Sequence, residues 1–126
     1  NTVEVYDPQA DSWQRVASMP RDLSAHAAAA MGGKIFVTGG FNEGASVNSV
    51  CVYDPQADAW TQLASTGASL RRTHASAAVG GKLYVFGGYG AEGRLSTAEV
   101  YDPASNSWAQ VSRLTFPRDR LEAIAL

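Results

Sequence analysis

Residues 26–63 read HAAAAMGGKIFVTGGFNEGASVNSVCVYDPQADAWTQL, and residues 74–111 read HASAAVGGKLYVFGGYGAEGRLSTAEVYDPASNSWAQV. The two stretches align without a gap, and 16 of their 38 pairs are identical. Working outward, residues 1–18 overlay on 48–65 with 12 of 18 identical. Tyr-Asp-Pro begins at Tyr6, Tyr53 and Tyr101, and a tryptophan follows each at Trp13, Trp60 and Trp108. The spacings are 47 and 48 residues. A period of that size marks stacked supersecondary units, so the repeat decides the architecture before any local reading.

Each unit divides into four short segments with turn chemistry between them. His26–Met31 and His74–Val79 are small and alanine-rich. Gly32-Gly33 and Gly80-Gly81 then form a two-residue hairpin signal, because both positions accept positive φ. The apolar runs Ile35–Thr38 and Leu83–Phe86 suit strands buried on both faces. After a variable loop come Val50–Tyr53 and Ala98–Tyr101, each closed by Asp-Pro, a turn initiator that a central strand rejects. The fourth segment carries the tryptophan and ends at Leu63 or Val111. Twelve glycines and five prolines leave no amphipathic stretch of helical length. The reading is all-β: four short antiparallel strands per unit, as in a propeller blade.

The order Gly39-Gly40, Val52-Tyr53-Asp54-Pro55, Trp60, repeated at Gly87-Gly88, Tyr101-Asp102-Pro103 and Trp108, resembles the kelch motif over nearly the whole chain. The resemblance implies a β-propeller, most often six-bladed. The expected organisation is strands three and four of a first blade over 1–20, complete blades over 21–65 and 66–113, and the first strand of a further blade over 114–126. Two blades and fragments close no ring, so the sequence reads as an excerpt of a longer chain, the alternative being copies that assemble head to tail. The glycines are expected to let backbones approach closely, and Tyr6, Tyr53, Tyr101 and the three tryptophans to wedge the blades where they splay apart.

Composition sets the outer bounds. The chain has 126 residues, a net charge of −2 and 45% hydrophobic residues. That is one modest domain, with no overall field for nucleic acid or an anionic membrane and no apolar run of transmembrane length. The single cysteine, Cys51, excludes an internal disulfide or a multi-thiolate metal site and leaves the compartment open. No cofactor is expected.

Alternating strand direction sorts the loops onto two faces. Lys34 and Lys82 share one face with Asp7, Asp11, Asp54, Asp58 and Asp102, a formal −3. Arg21, Arg71, Arg72, Arg94, Arg118 and Arg120 fall on the other with Asp22, Glu43, Glu92 and Asp119, a formal +2. Arginine suits bidentate recognition of carboxylates. The resemblance implies partner binding through these loops, with an arginine near each blade junction aimed into a central funnel. Arg21 and Arg118, each after a proline, are assigned to that position, with Arg71 or Arg72 as the middle counterpart. All six arginines are therefore candidate ligand-binding residues for a protein partner, including an acidic segment; the competing role is to hydrogen-bond neighbouring carbonyls and hold the ring together. In a parent chain with a suitable further domain, the module would act as an adaptor to a ubiquitin ligase.

The alternative class is an enzyme on the same scaffold. Kelch-type propellers include copper-dependent sugar oxidases, which need a Tyr–Cys pair and copper-binding histidines, and sialic acid mutarotases, for which Arg21, Glu43 and Arg118 would serve. No catalytic residue is assigned. His26 and His74 share a repeat position, with Ala123 as the third copy; without clustered carboxylates or thiolates they read as hydrogen-bonding histidines at strand starts rather than metal ligands. Cys51 stands where the other copies have Glu4 and Glu99, and so is expected to face solvent in part.

Overall fold

Gly32 and Gly33 adopt φ of 59° and 74°, and Gly80 and Gly81 repeat this at 56° and 74°, the backbone of the tight turn that joins twisted strands. Around these turns, a computed structural model describes residues 1–65 and 69–126 as fourteen strands with no helix. β1 (Val3–Asp7) and β2 (Ser12–Val16) form a hairpin. β3 (Ala27–Met31), β4 (Lys34–Thr38), β7 (Val50–Asp54) and β8 (Ala59–Gln62) form an antiparallel sheet in that order. β9 (Ala75–Val79), β10 (Lys82–Phe86), β13 (Ala98–Asp102) and β14 (Ser107–Val111) form a second sheet with the same order and register. The variable loops hold two-residue hairpins, β5 (Phe41–Asn42) with β6 (Ala45–Ser46), and β11 (Tyr89–Gly90) with β12 (Gly93–Arg94). These are four-stranded antiparallel blades of the propeller type, and the described residues close no ring.

The turn after each Tyr-Asp-Pro is built twice over. Asp54 Oδ1 accepts from the amides of Gln56 and Ala57, and Asp7 and Asp102 repeat the bond two residues on. The tyrosine then fixes the far side: Tyr6, Tyr53 and Tyr101 donate their hydroxyls to Asp11, Asp58 and Asn106 at 2.7, 2.8 and 2.8 Å. Those three acceptors all sit at positive φ, a conformation that aspartate and asparagine tolerate. Each tyrosine also meets the cross-strand tryptophan with centroids 5.1–5.3 Å apart. Trp60 and Trp108 reach back one unit, donating Nε1–H to the carbonyls of Ala17 and Ala64.

The two sheets stack with β3 against β9, where Ala27, Ala75 and Ala77 leave room for a close approach. Phe36, Val52, Leu83 and Tyr101 form the core between them. At the seam a Cβ on Gly39 would lie 2.5 Å from the Arg71 carbonyl oxygen, and one on Gly87 would lie 2.6 Å from that of Arg118. Only glycine fits there. The same backbone bonds recur from unit to unit: Gly40 N donates to Arg71 O and Gly88 N to Arg118 O, while Thr73 N donates to Ala25 O and Arg120 N to Thr73 O.

These bonds correct two assignments. Arg118 is the counterpart of Arg71 and of Leu23, whereas Arg21 stands two residues earlier in its own unit. The third copy of the His26/His74 position is consequently Leu121, not Ala123. Phe116–Leu126, expected as a first strand, lies in no strand. Residues 66–68, at the head of the unit expected over 66–113, lie outside the described residues. Among the described residues no helix is long and apolar enough to cross a membrane.

Candidate functional site

The sheets present two chemically different ends. At one, Lys34 Nζ lies 2.5 Å from Asp54 and Lys82 Nζ lies 3.1 Å from Asp102. The lysine at the start of each second strand thus meets the aspartate at the end of each third, because those strands are antiparallel neighbours. Lys34 is the largest cause holding the Asp54 carboxyl below its ordinary range; for Asp102 the Ala104 amide comes first and Lys82 second. Both lysines of this end are thus matched to carboxylates, and the end keeps its acidic excess.

The opposite end gathers the hairpins β5–β6 and β11–β12 with the segments that lead from blade to blade, and with them the arginines. Their situations differ sharply. Arg71 is 0% exposed: it donates to Gly87 O at 2.7 Å, to the Thr97 carbonyl and hydroxyl, and to Glu99 Oε2 at 2.8 Å. Burial draws its guanidinium below the ordinary value, and Glu99 pulls it back up. Arg71 therefore holds one blade to the segment before it and is closed to a ligand in this structure. Arg94 is exposed but bonded to Asp119 at 2.6 Å, and Arg120 lies 4.0 Å from the same carboxylate. Arg21 and Arg118 are exposed. Arg72 is half-buried, with its guanidinium carbon 4.8 Å from the ring centres of both Phe41 and Tyr89 and Nη1 donating to Ser46 Oγ at 3.0 Å.

Cys51 corrects the expectation that its position faces water. The thiol is 2% exposed, and Glu99, its counterpart, is 1% exposed. A glutamate copy signalled solvent, but here the glutamate is buried against an arginine. The register makes the compensation visible: where Glu99 faces Arg71, the preceding unit has Cys51 and Leu23 at the same two positions. Burial raises the Cys51 thiol, and the Arg21 charge opposes that weakly.

The two histidines separate. His26 is exposed, while His74 is buried and shares a 2.8 Å hydrogen bond with Thr38 Oγ1 of the preceding sheet. Burial, then the charges of Arg71 and His26, push its pKa down to about 3, so it is neutral at physiological pH. Among the described residues no group of three His, Cys, Asp or Glu side chains is placed to hold a metal.

Glu99 and the Phe41–Arg72–Tyr89 stack were not singled out from the sequence. Each left a trace there: a lone carboxylate inside Ala98–Tyr101, and an aromatic after each double glycine.

Repeated four-stranded antiparallel blades, seam glycines and Tyr–Trp pairs define the class of protein as a kelch-type propeller module. The chain matches the family described as the KLHDC2/KLHL20/DRC7 Kelch-repeats domain over residues 1–123, and it belongs to that family. A search of the curated proteins found no match. Kelch repeats are in general protein-interaction modules.

Proposed function

We propose that this module binds a protein partner through the end that carries the two loop hairpins, and that arginines there read an acidic segment of that partner. The units that build it are 21–65 and 66–113, flanked by 1–20 and 114–126. The observation that carries the reading is the asymmetry of the two ends. Both lysines are matched to carboxylates at one end, whereas the loop end keeps Arg21 and Arg118 exposed and Arg72 without a carboxylate within 4.0 Å among the described residues. Unmatched arginine on a face built of loops favours an acidic ligand. In a parent protein with a ligase-binding domain, the same face would select the substrate.

The test compares an Arg21→Ala/Arg118→Ala variant with Lys34→Ala/Lys82→Ala on the opposite end, by fluorescence anisotropy with a labelled Asp/Glu-rich peptide. The arginine pair is expected to weaken binding by about tenfold or more, and the lysine pair to leave it alone. Equal binding by both folded variants would sink the reading.

A further inference from the structure

The core between the two four-stranded sheets rests on Phe36, Val52, Leu83 and Tyr101. The repeat carries three of those places one unit back: Val5 answers to Val52, Ile35 to Leu83 and Tyr53 to Tyr101. All three line one largely apolar groove of about 590 Å³ between the β1–β2 hairpin and the sheet that follows it. Met19, Val37 and Tyr53 are buried along it. Among the described residues no side chain stands there in the place of Phe36. Exposure records the difference. Leu83 is 0% exposed and Ile35 40%, while Val52 is 9% exposed and Val5 49%.

The strand beside the groove is open in the same place. β1 pairs with β2 along one edge, whereas its counterparts β7 and β13 each lie between two strands. An unpaired edge next to an apolar groove is a template for a further strand. Charge selects which strand. Lys34 meets Asp54 and Lys82 meets Asp102. Asp7 holds the same position in the first hairpin, is exposed, and has no lysine or arginine within 4.0 Å among the described residues. The register of β4 on β7 sets Ile35 opposite Tyr53 and Phe36 opposite Val52. Carried onto β1, it sets a lysine beside Asp7, an aliphatic residue opposite Tyr6 and an aromatic one opposite Val5. That aromatic ring would meet Val5, Ile35 and Tyr53 as Phe36 meets Val52, Leu83 and Tyr101.

We propose that this groove is a second docking site, taking an extended segment of a different protein that reads Lys–aliphatic–aromatic–aliphatic and adds to β1 as an antiparallel strand. Its main chain takes the free edge of β1, its lysine pairs with Asp7, and its aromatic ring fills the groove. A second copy of this chain has no such segment to spare. Its two stretches of that chemistry, 34–37 and 82–85, are already held inside four-stranded sheets. The groove lies between units, away from the loop hairpins, so this inference is independent of the acidic-segment reading.

The test titrates the chain into fluorescein-labelled Gly-Lys-Ile-Phe-Val-Thr-Gly-amide and reads anisotropy, with amide exchange along β1 followed by NMR. Saturable binding of one peptide per chain is expected, with slowed exchange at the β1 amides. Alanine in place of the peptide's phenylalanine should weaken binding at least about tenfold. Glutamate in place of its lysine should weaken it about threefold or more, and Asp7→Lys should recover that loss, an exchange of charges that general adhesion to an apolar groove would not show. Asp7→Lys also removes the turn bonds to Gln9 and Ala10, so the peptide series on the unsubstituted chain is the central measurement. No saturable binding, equal binding of the alanine peptide, or binding that leaves the β1 amides unprotected overturns the site. Light scattering should find the free chain monomeric. A dimer with its β1 amides already protected would give the groove to a second copy and overturn the choice of partner.

Discussion

The Arg71 guanidinium and the Glu99 carboxylate meet at 2.8 Å with both side chains shut away from water, and one unit earlier the same two positions hold Leu23 and Cys51. A buried ion pair is held by its geometry, and losing one partner leaves the other charged and dry. Arg71→Leu alone or Glu99→Cys alone is expected to cost about 3–5 kcal/mol. The double variant copies the neighbouring unit's solution and should recover all but about 1–2 kcal/mol. Urea unfolding checks this, and a double variant no better than the singles would mean the two positions are not coupled.

Acid should loosen the seam through His74. Its folded pKa is about 3 against about 6.5 in the unfolded chain, so the unfolded state takes up the proton first. Stability is whole above about pH 6.5 and falls as the pH drops towards 3, by about 1.4 kcal/mol per unit, or about 2 kcal/mol by pH 5. The aspartates with lowered pKa add their losses only below the ordinary carboxylate range. Urea midpoints between pH 7 and 4.5 measure the slope, and His74→Gln should flatten it. An unchanged slope in that variant would assign the effect elsewhere.

The tryptophans should separate by position. Trp60 is half-buried, packed at a tilt against Tyr53 and bonded to Ala17 O, whereas Trp13 is 67% exposed. Trp60→Ala is expected to cost about 3 kcal/mol and Trp13→Ala less than about 1 kcal/mol, read from denaturant midpoints. A loss below about 1 kcal/mol at Trp60 would show that its ring does not wedge the units together.

Glycine substitutions can distinguish crowding from backbone conformation. A Cβ on Gly32 meets nothing within 4 Å, although φ is 59°; on Gly87 it meets Arg118 O at 2.6 Å, with φ of 58°. Gly32→Ala should therefore show only the left-handed penalty, about 1–2 kcal/mol. Gly87→Ala should exceed that and expose residues 114–126 to faster amide exchange, because the Gly88–Arg118 bond is strained with it. Equal effects at the two sites would remove the case for close approach.

Much of this was legible in the residues. Strands, turns and their order follow from glycine pairs, apolar runs and Asp-Pro, since each acts within a few positions of itself. The faces of the sheets were legible too, because antiparallel order alone sends Lys34 to Asp54 and Lys82 to Asp102. What escaped depends on neighbours far away in sequence. Whether Glu99 looks at water or at Arg71 is decided by a segment 28 residues distant, which its own strand does not reveal. Arg118 was misplaced because Pro117-Arg118-Asp119 imitates Pro20-Arg21-Asp22, whereas the backbone bonds at the seam match Arg118 with Arg71 and Leu23, the latter two each four residues before the strand that follows. The role of Arg72 needed Phe41 and Tyr89 brought together from two units.

The seam bonds have a genetic consequence. Thr73 takes from Ala25 what Arg120 takes from Thr73, so each unit offers its successor the same socket that it fills in its predecessor. A duplicated stretch of 47 or 48 residues would join at both ends through contacts the molecule already makes, with no new surface to invent. Such a chain can lengthen by copying itself, and afterwards let single pairs such as Leu23 with Cys51 drift into a different chemistry.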